Sequence, residues 1–208
     1  MPPLPVLPAP PALIVVVSGP SGVGKTALCK LLIAEDPTLV RTITTTTRRP
    51  RAGERDGVDY HFWTPEQFRA GMGAGVFLEF AEVHEHLYGT PKALVEKLLA
   101  EGRSPLLNVD VQGGRAVKAA RPEAVLVFLL PPTMPALEDR LRGRATDDEP
   151  TIVTRLRNAK GELEQWRHYD YAVVNDKLED AVASVQAVLH AERMRVSRRA
   201  GSWPEARK

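Results

Sequence analysis

The stretch "LIVVVSGPSGVGKTALCKLL", residues 13–32, sets an apolar run against a glycine-rich turn that ends in Gly-Lys-Thr. That junction restricts the fold more than any other feature of the chain. A run that is apolar at every position, not at alternate ones, suits a strand buried on both faces and so predicts a parallel sheet covered by helices. "GPSGVGKT", Gly19 to Thr26, matches G-x-x-x-x-G-K-[ST] between a predicted strand and a predicted helix. Gly19, Gly22 and Gly24, with Pro20, Ser21 and Val23 between them, let consecutive backbone N–H groups turn inward, and the helix N-terminus adds partial positive charge. Lys25 can then reach the β- and γ-phosphates of a nucleoside triphosphate, while the Thr26 hydroxyl can ligate Mg²⁺. The turn says nothing of the acceptor, because unrelated activities share it.

The same apolar signature recurs at Pro105 to Asp110, Ala124 to Leu130 and residues 171–175, "YAVVN". Between these runs, Lys25 to Ala34, Pro91 to Ala100, Gly114 to Ala120, Met134 to Leu141 and Leu178 to Arg193 repeat apolar residues at helical spacing. Strand followed by helix, repeated, predicts an α/β domain of the P-loop NTPase type: a parallel sheet core flanked by helices. Residues 41–90 and 142–160 break the rhythm and are polar, so they are expected to be insertions on one core, which spans 12–40 and 91–195 of a domain at 12–195. Residues 1–11, "MPPLPVLPAPP", predict an extended, proline-rich tail, and the basic stretch 196–208 predicts a flexible one.

With 28 basic against 26 acidic residues, the chain is too evenly charged to imply a nucleic-acid or anionic-membrane partner. No basic residue precedes Lys25, so a secretory n-region is not expected, and the apolar run at Ala12 to Val17 is shorter than the roughly 20 residues a bilayer span takes. The single cysteine, Cys29, has no partner for a disulfide or a zinc site and reads as an inert thiol in a helix core. A cytoplasmic enzyme is the expectation.

Residues 42–60, "TITTTTRRPRAGERDGVDY", concentrate hydroxyls and arginines around Pro50. Guanidinium forks with Thr and Tyr hydroxyls can clamp a second phosphate. The segments "SGPSGVGKT", "TTTTRRPRAGERDGVDYHF", "FLEFAEVHEHLYGTP", "VDVQGG", "RLRGRATDDE" and "VVND" together resemble the guanylate kinases, over roughly residues 12 to 190. The resemblance implies transfer of the γ-phosphate of ATP to GMP, with Mg²⁺, by a monomer or homodimer. It makes 41–90 a GMP-binding insertion and 142–160 a helical lid.

Position by position, the resemblance puts the clamp for the GMP phosphate on Arg48, Arg51, Tyr60 and Tyr88, with Thr44 alongside. It puts guanine contacts on Glu79, Thr90 and Asp110, with Gly89 also in the GMP site, lid arginines on Arg144 and Arg155, and a residue near the ATP base on Asn175. The chemistry agrees. An ionised carboxylate such as Glu79 accepts from both guanine N1–H and its N2 amino group, whereas adenine offers a lone pair there. The acceptor phosphate carries about −1.5 to −2 charge near neutrality and needs no general base, so Lys25, Arg48, Arg144 and Arg155 are expected to act by position and charge.

Two departures stand out. "NVDVQG" has Asn108 where the family has a first Asp, which removes a charge near the expected Mg²⁺ site, and Glu85 and His86 replace a Gly-Asn pair. His84 and His86 lack a third clustered ligand and are not taken as a metal site. Two rivals remain at this point: a guanylate-kinase-like interaction module without activity, and a related P-loop kinase for a phosphorylated ribose compound.

Overall fold

The structure is a computed structural model and describes residues 10–83, 85–143 and 149–199. Among these residues two sheets form. The core strands are β1 (Val15–Ser18), β2 (Leu39–Arg41), β7 (Ser104–Asn108), β8 (Val125–Leu130) and β9 (Tyr171–Val174), all parallel, in the order β2-β7-β1-β8-β9. The second sheet holds β3 (Thr45–Thr46), β4 (His61–Phe62), β5 (Phe77–Val83) and β6 (His86–Pro91), in the order β4-β3-β6-β5.

Alternation along β1 shows why the run had to be apolar throughout. Val15 and Val17 face one hydrophobic cluster, built with Leu28 and Leu32 of α1 (Lys25–Glu35), Leu137 of α5 (Met134–Arg142), and Val185 of α7 (Leu178–Met194). Val16 faces the other, with Val95 of α3 (Lys92–Ala100) and Val117 of α4 (Val111–Ala120). Each face of the sheet is thus dry, as a parallel sheet requires. Cys29 is buried in the first cluster, and burial pushes its thiol up to about 12, which makes it the inert group expected.

The remaining helices are α2 (Pro65–Gly73), α6 (Glu149–Leu163), followed by a 3₁₀ turn (Glu164–His168), and α8 (Val196–Arg199). The predicted core strands and helices are present with shifted ends. Helix α4 begins at Val111, earlier than expected, because the Asp110 side chain accepts from Gly113 N at 2.8 Å and caps it. Three-residue β2 went unpredicted, and it moves the start of the insertion past Arg41.

The flexible tail expected from residue 196 is corrected over its first four residues. Val196–Arg199 is helical, and Arg198 donates from Nε to Glu192 at 2.8 Å, a carboxylate only 3% exposed. Residues 200–208 and most of the proline-rich segment, 1–9, lie outside the described residues, as do His84, Arg144 and the rest of 144–148. No helix among the described residues is long and apolar enough to cross a membrane.

Candidate active site

The carboxyl ends of β1 and β7 open into a crevice that the second sheet closes from the other side, the place where open α/β sheets bind ligands. A cavity of about 470 Å³ lies there. Gly19, Ser21 and Lys25 line it from the phosphate loop, and Thr44, Arg51, Tyr60, Glu79 and Tyr88 from the insertion. Asp110 lines it from the start of α4 and Arg155 from α6. Residues separated by more than 130 positions in sequence thus share one solvent space.

Within the loop, Gly24 adopts φ 101°, a left-handed conformation that L side chains rarely take. A Cβ at Gly24 would also stand 2.4 Å from Nδ2 of Asn175. Asn175 itself is 4% exposed and donates from Nδ2 to Val23 O at 2.7 Å, so it buttresses the loop from beneath and does not line the cavity. Arg140 of α5 fixes this turn by donating to Asn175 O at 2.8 Å and Asp176 O at 3.1 Å. Lys25 folds back over the loop, donating from Nζ to Gly19 O at 2.6 Å and Pro20 O at 3.0 Å.

The insertion presents its predicted residues in two groups. Tyr60 and Tyr88 meet edge to face at 6.2 Å, and the Arg48 guanidinium lies 5.4 Å above the Tyr60 ring. Arg48 is set back from the cavity wall, held by Glu54. In the second group, β5 and β6 pair so that Glu79 stands opposite Thr90, which explains the spacing of the two motif residues. Thr90 donates to Glu79 Oε1 from Oγ1 at 2.6 Å and from N at 3.1 Å. Glu79 is 5% exposed, and burial, assisted by the charge of Asp110, raises its carboxyl to about 7 against the pull of the Thr90 bonds.

Gly89 has a packing explanation. A Cβ there would come within 2.8 Å of Phe77 and 3.0 Å of Phe68, rings that stack at 4.4 Å behind the strand. At the β5–β6 turn, Glu85 takes φ 64°, the left-handed region that the departure from Gly made conspicuous, and Tyr88 and Thr90 keep their register beyond it.

Arg41, Thr42 and Glu162 are among the cavity residues that had no place in the sequence-based site. Arg41, at the end of β2, approaches the Tyr60 ring at 5.9 Å and donates to Asp59 O at 2.8 Å. Thr42 follows it, and Glu162 reaches the cavity from α6. Arg41 ends a strand too short to be read from the sequence, and nothing in the sequence signalled Glu162. Asn108, at the end of β7, places Nδ2 3.4 Å from Thr26 Oγ1.

Comparison with known proteins decides which family the chain belongs to. The family model for guanylate kinase matches residues 12–192. The chain belongs to the guanylate kinase family. It is 49% identical over 199 residues to a guanylate kinase of Anaeromyxobacter dehalogenans, covering 94% of this chain and 87% of that one. It is 44% identical over 186 residues to one of Clostridium perfringens, covering 89% and 86%. Among solved structures, the guanylate kinase from Anaplasma phagocytophilum superposes with a TM-score of 0.76 at 33% identity, over 94% of this chain and 93% of that one.

Proposed function

We propose that the chain transfers the γ-phosphate of ATP to GMP. The observation that carries this is the single cavity in which Lys25 and the phosphate loop face Arg51, Tyr60, Tyr88 and the buried Glu79. Two polyanions must be brought in line, and one space walled on one side by a triphosphate cradle and on the other by a phosphate clamp with a carboxylate beyond it suits that task.

In this mechanism the loop N–H groups of Gly19 to Thr26 hold the triphosphate, and Lys25 exchanges its carbonyl contacts for the β- and γ-phosphates. Asn175 keeps the loop in shape. Arg48, Arg51, Thr44, Tyr60 and Tyr88 fix the acceptor phosphate, whose own oxygen attacks. Glu79, backed by Thr90 and with Asp110 nearby, reads guanine N1–H and the N2 amino group. Arg144 and Arg155 of the 142–160 lid neutralise charge that develops between the phosphates, and closure excludes water.

For Mg²⁺ the residues fit. Thr26 is exposed in the first turn of α1 and offers a neutral hydroxyl oxygen, while Asn108 donates to it from Nδ2 at 3.4 Å and keeps its own Oδ1 as a second neutral oxygen. Such a pair suits a hard cation that keeps mostly phosphate and water ligands. A Mg²⁺ held there would supply positive charge that offsets the phosphates' own. A cytoplasmic setting in purine nucleotide metabolism fits these substrates, with ATP and GMP as partners and a monomer or homodimer as the acting unit.

The test is ADP formation from ATP and Mg²⁺ with GMP, dGMP, AMP, CMP, UMP and a ribose bisphosphate, with Lys25→Ala as control. GMP-dependent turnover that the control lacks is the expected result. No turnover with any acceptor moves the chain to the interaction-module reading, and turnover with the ribose compound alone moves it to the other rival.

A further inference from the structure

The phosphate loop already holds an anion that belongs to the chain. Glu162, near the end of α6, accepts from the backbone N–H of Ser21 at 3.2 Å. That N–H is one of the loop donors on which the kinase reading relies, and both residues line the cavity that holds Lys25 and Glu79. Glu162 also lines the adjoining cleft of about 800 Å³, between β5, α4 and α6, so its side chain stands at the boundary of two spaces. It is half-buried.

Arg155 and Glu162 are separated by seven residues of one helix, close to two turns, and therefore share a face. The lid helix thus offers a cation and an anion to the same cavity. A carboxylate is drawn to this position for the same reasons as a phosphate: an inward N–H, a helix N-terminus, and the positive charges of Lys25, Arg51 and Arg155 around it. The two anions cannot share Ser21 N. Side by side they would repel, and the cost grows as water is excluded.

We propose that Glu162 competes with a donor phosphate for the Ser21 N–H, so that ATP must unseat the lid helix's own carboxylate before Arg155 can serve the phosphates. This rests on the assignment of the loop to ATP. The device exchanges one charge for another on a single helix face. Glu162 leaves the loop as the triphosphate arrives, and Arg155, two turns earlier, stays directed at it. Until then the loop is partly occupied, which lowers its affinity for phosphate that arrives without the rest of the donor.

The experiment compares wild type, Glu162→Gln and Glu162→Ala without GMP, using calorimetric titration with β,γ-methylene-ATP and Mg²⁺. Removing a charge-assisted but half-exposed competitor predicts a Kd lower by about three- to tenfold in both variants. In ¹H–¹⁵N spectra of the nucleotide-free proteins, the Ser21 amide resonance moves in both variants while the dispersed spectrum reports an intact fold. Unchanged or weaker analogue binding in the variants, or an unmoved Ser21 resonance, overturns the proposal. An analogue that fails to bind wild type overturns the ATP assignment and the proposal with it.

Discussion

Glu54 accepts from Arg48 Nη2 with both carboxylate oxygens, at 2.8 and 2.9 Å, and from the backbone N–H of Arg51 at 2.7 Å. One carboxylate therefore contacts both arginines of the proposed acceptor clamp, Arg48 through its side chain and Arg51 through its backbone. The Arg48 bond holds the Glu54 carboxyl below its ordinary range, so the pair persists as pH falls past the usual carboxylate value and is lost only below the lowered one. Glu54→Gln weakens the grip and frees the loop to wander. KM for GMP is expected to rise about three- to tenfold with a smaller change in kcat. Steady-state kinetics with GMP varied at saturating ATP checks this; an unchanged KM removes Glu54 from the clamp.

With Glu79 proposed to read guanine, a carboxyl raised to about 7 is expected to make GMP uptake pH-dependent. Guanine donates twice on this edge, so it binds the ionised form, and binding draws the proton off Glu79. Below pH 7 the affinity for GMP falls as pH falls. At pH 6.5, well over half a proton is expected to leave per GMP bound, against little at pH 8.5. Calorimetry of GMP binding in two buffers of different ionisation enthalpy reads this number, and an enthalpy independent of buffer at pH 6.5 contradicts it.

The same carboxyl costs stability. Its folded pKa lies above the unfolded value, so the folded state binds the proton more tightly, and stability declines as pH rises from about 4.5 to about 7. Above that the loss is complete, on the order of 1–3 kcal/mol. Glu79→Gln removes the penalty while keeping an acceptor for Thr90. The variant is expected to melt higher than wild type at pH 8 and to lose GMP use far more than ATP binding. Thermal melts at pH 5 and pH 8, with kinetics for both substrates, separate the effects; equal GMP kinetics sinks the guanine assignment.

Double-sided burial made the core legible. A strand such as β1, apolar at each position, has no other comfortable fate. β2, "LVR", is too short to carry a period, and two-residue β3 and β4 are fixed by pairing with β6 and with each other, not by local pattern. In the site, the resemblance to the guanylate kinases put guanine contacts on Glu79 and Thr90, which the structure sets opposite each other. Contacts between distant segments had no such signal. Glu162 meets Ser21 across 141 residues and Asn175 meets Val23 across 152, and both depend on how the lid and the last core strand seat on the loop.

Asn175 carries the next expectation. Its amide satisfies a buried loop carbonyl, Val23 O, through the space that Gly24 leaves by having no side chain. Asn175→Ala leaves that carbonyl unpaired, which costs about 1–3 kcal/mol, and lets the loop relax. The melting temperature is expected to fall by about 2–4 °C per kcal/mol lost, and KM for ATP to rise while KM for GMP stays nearly constant. Asn175→Asp, which sets a carboxylate against the carbonyl, is expected to be worse than alanine. A melt with both KM values decides it; equal rises for ATP and GMP would make Asn175 a general stability residue.

Asn108 sits at the carboxyl end of β7 with its amide nitrogen turned toward the Thr26 hydroxyl at 3.4 Å. The amide turns a nitrogen and no charge toward that hydroxyl, so a bound Mg²⁺ would rest on Thr26 and the nucleotide's own phosphates. Asn108→Asp adds a full negative charge at the same place without changing the side chain's length. It attracts the cation or its waters, and it repels the triphosphate when the cation is scarce. The Mg²⁺ concentration for half-maximal turnover at fixed ATP is therefore expected to drop several-fold, while ATP binding measured without Mg²⁺ weakens. Opposite signs in the two measurements identify the charge as the cause, because a merely structural change at β7 would move both the same way.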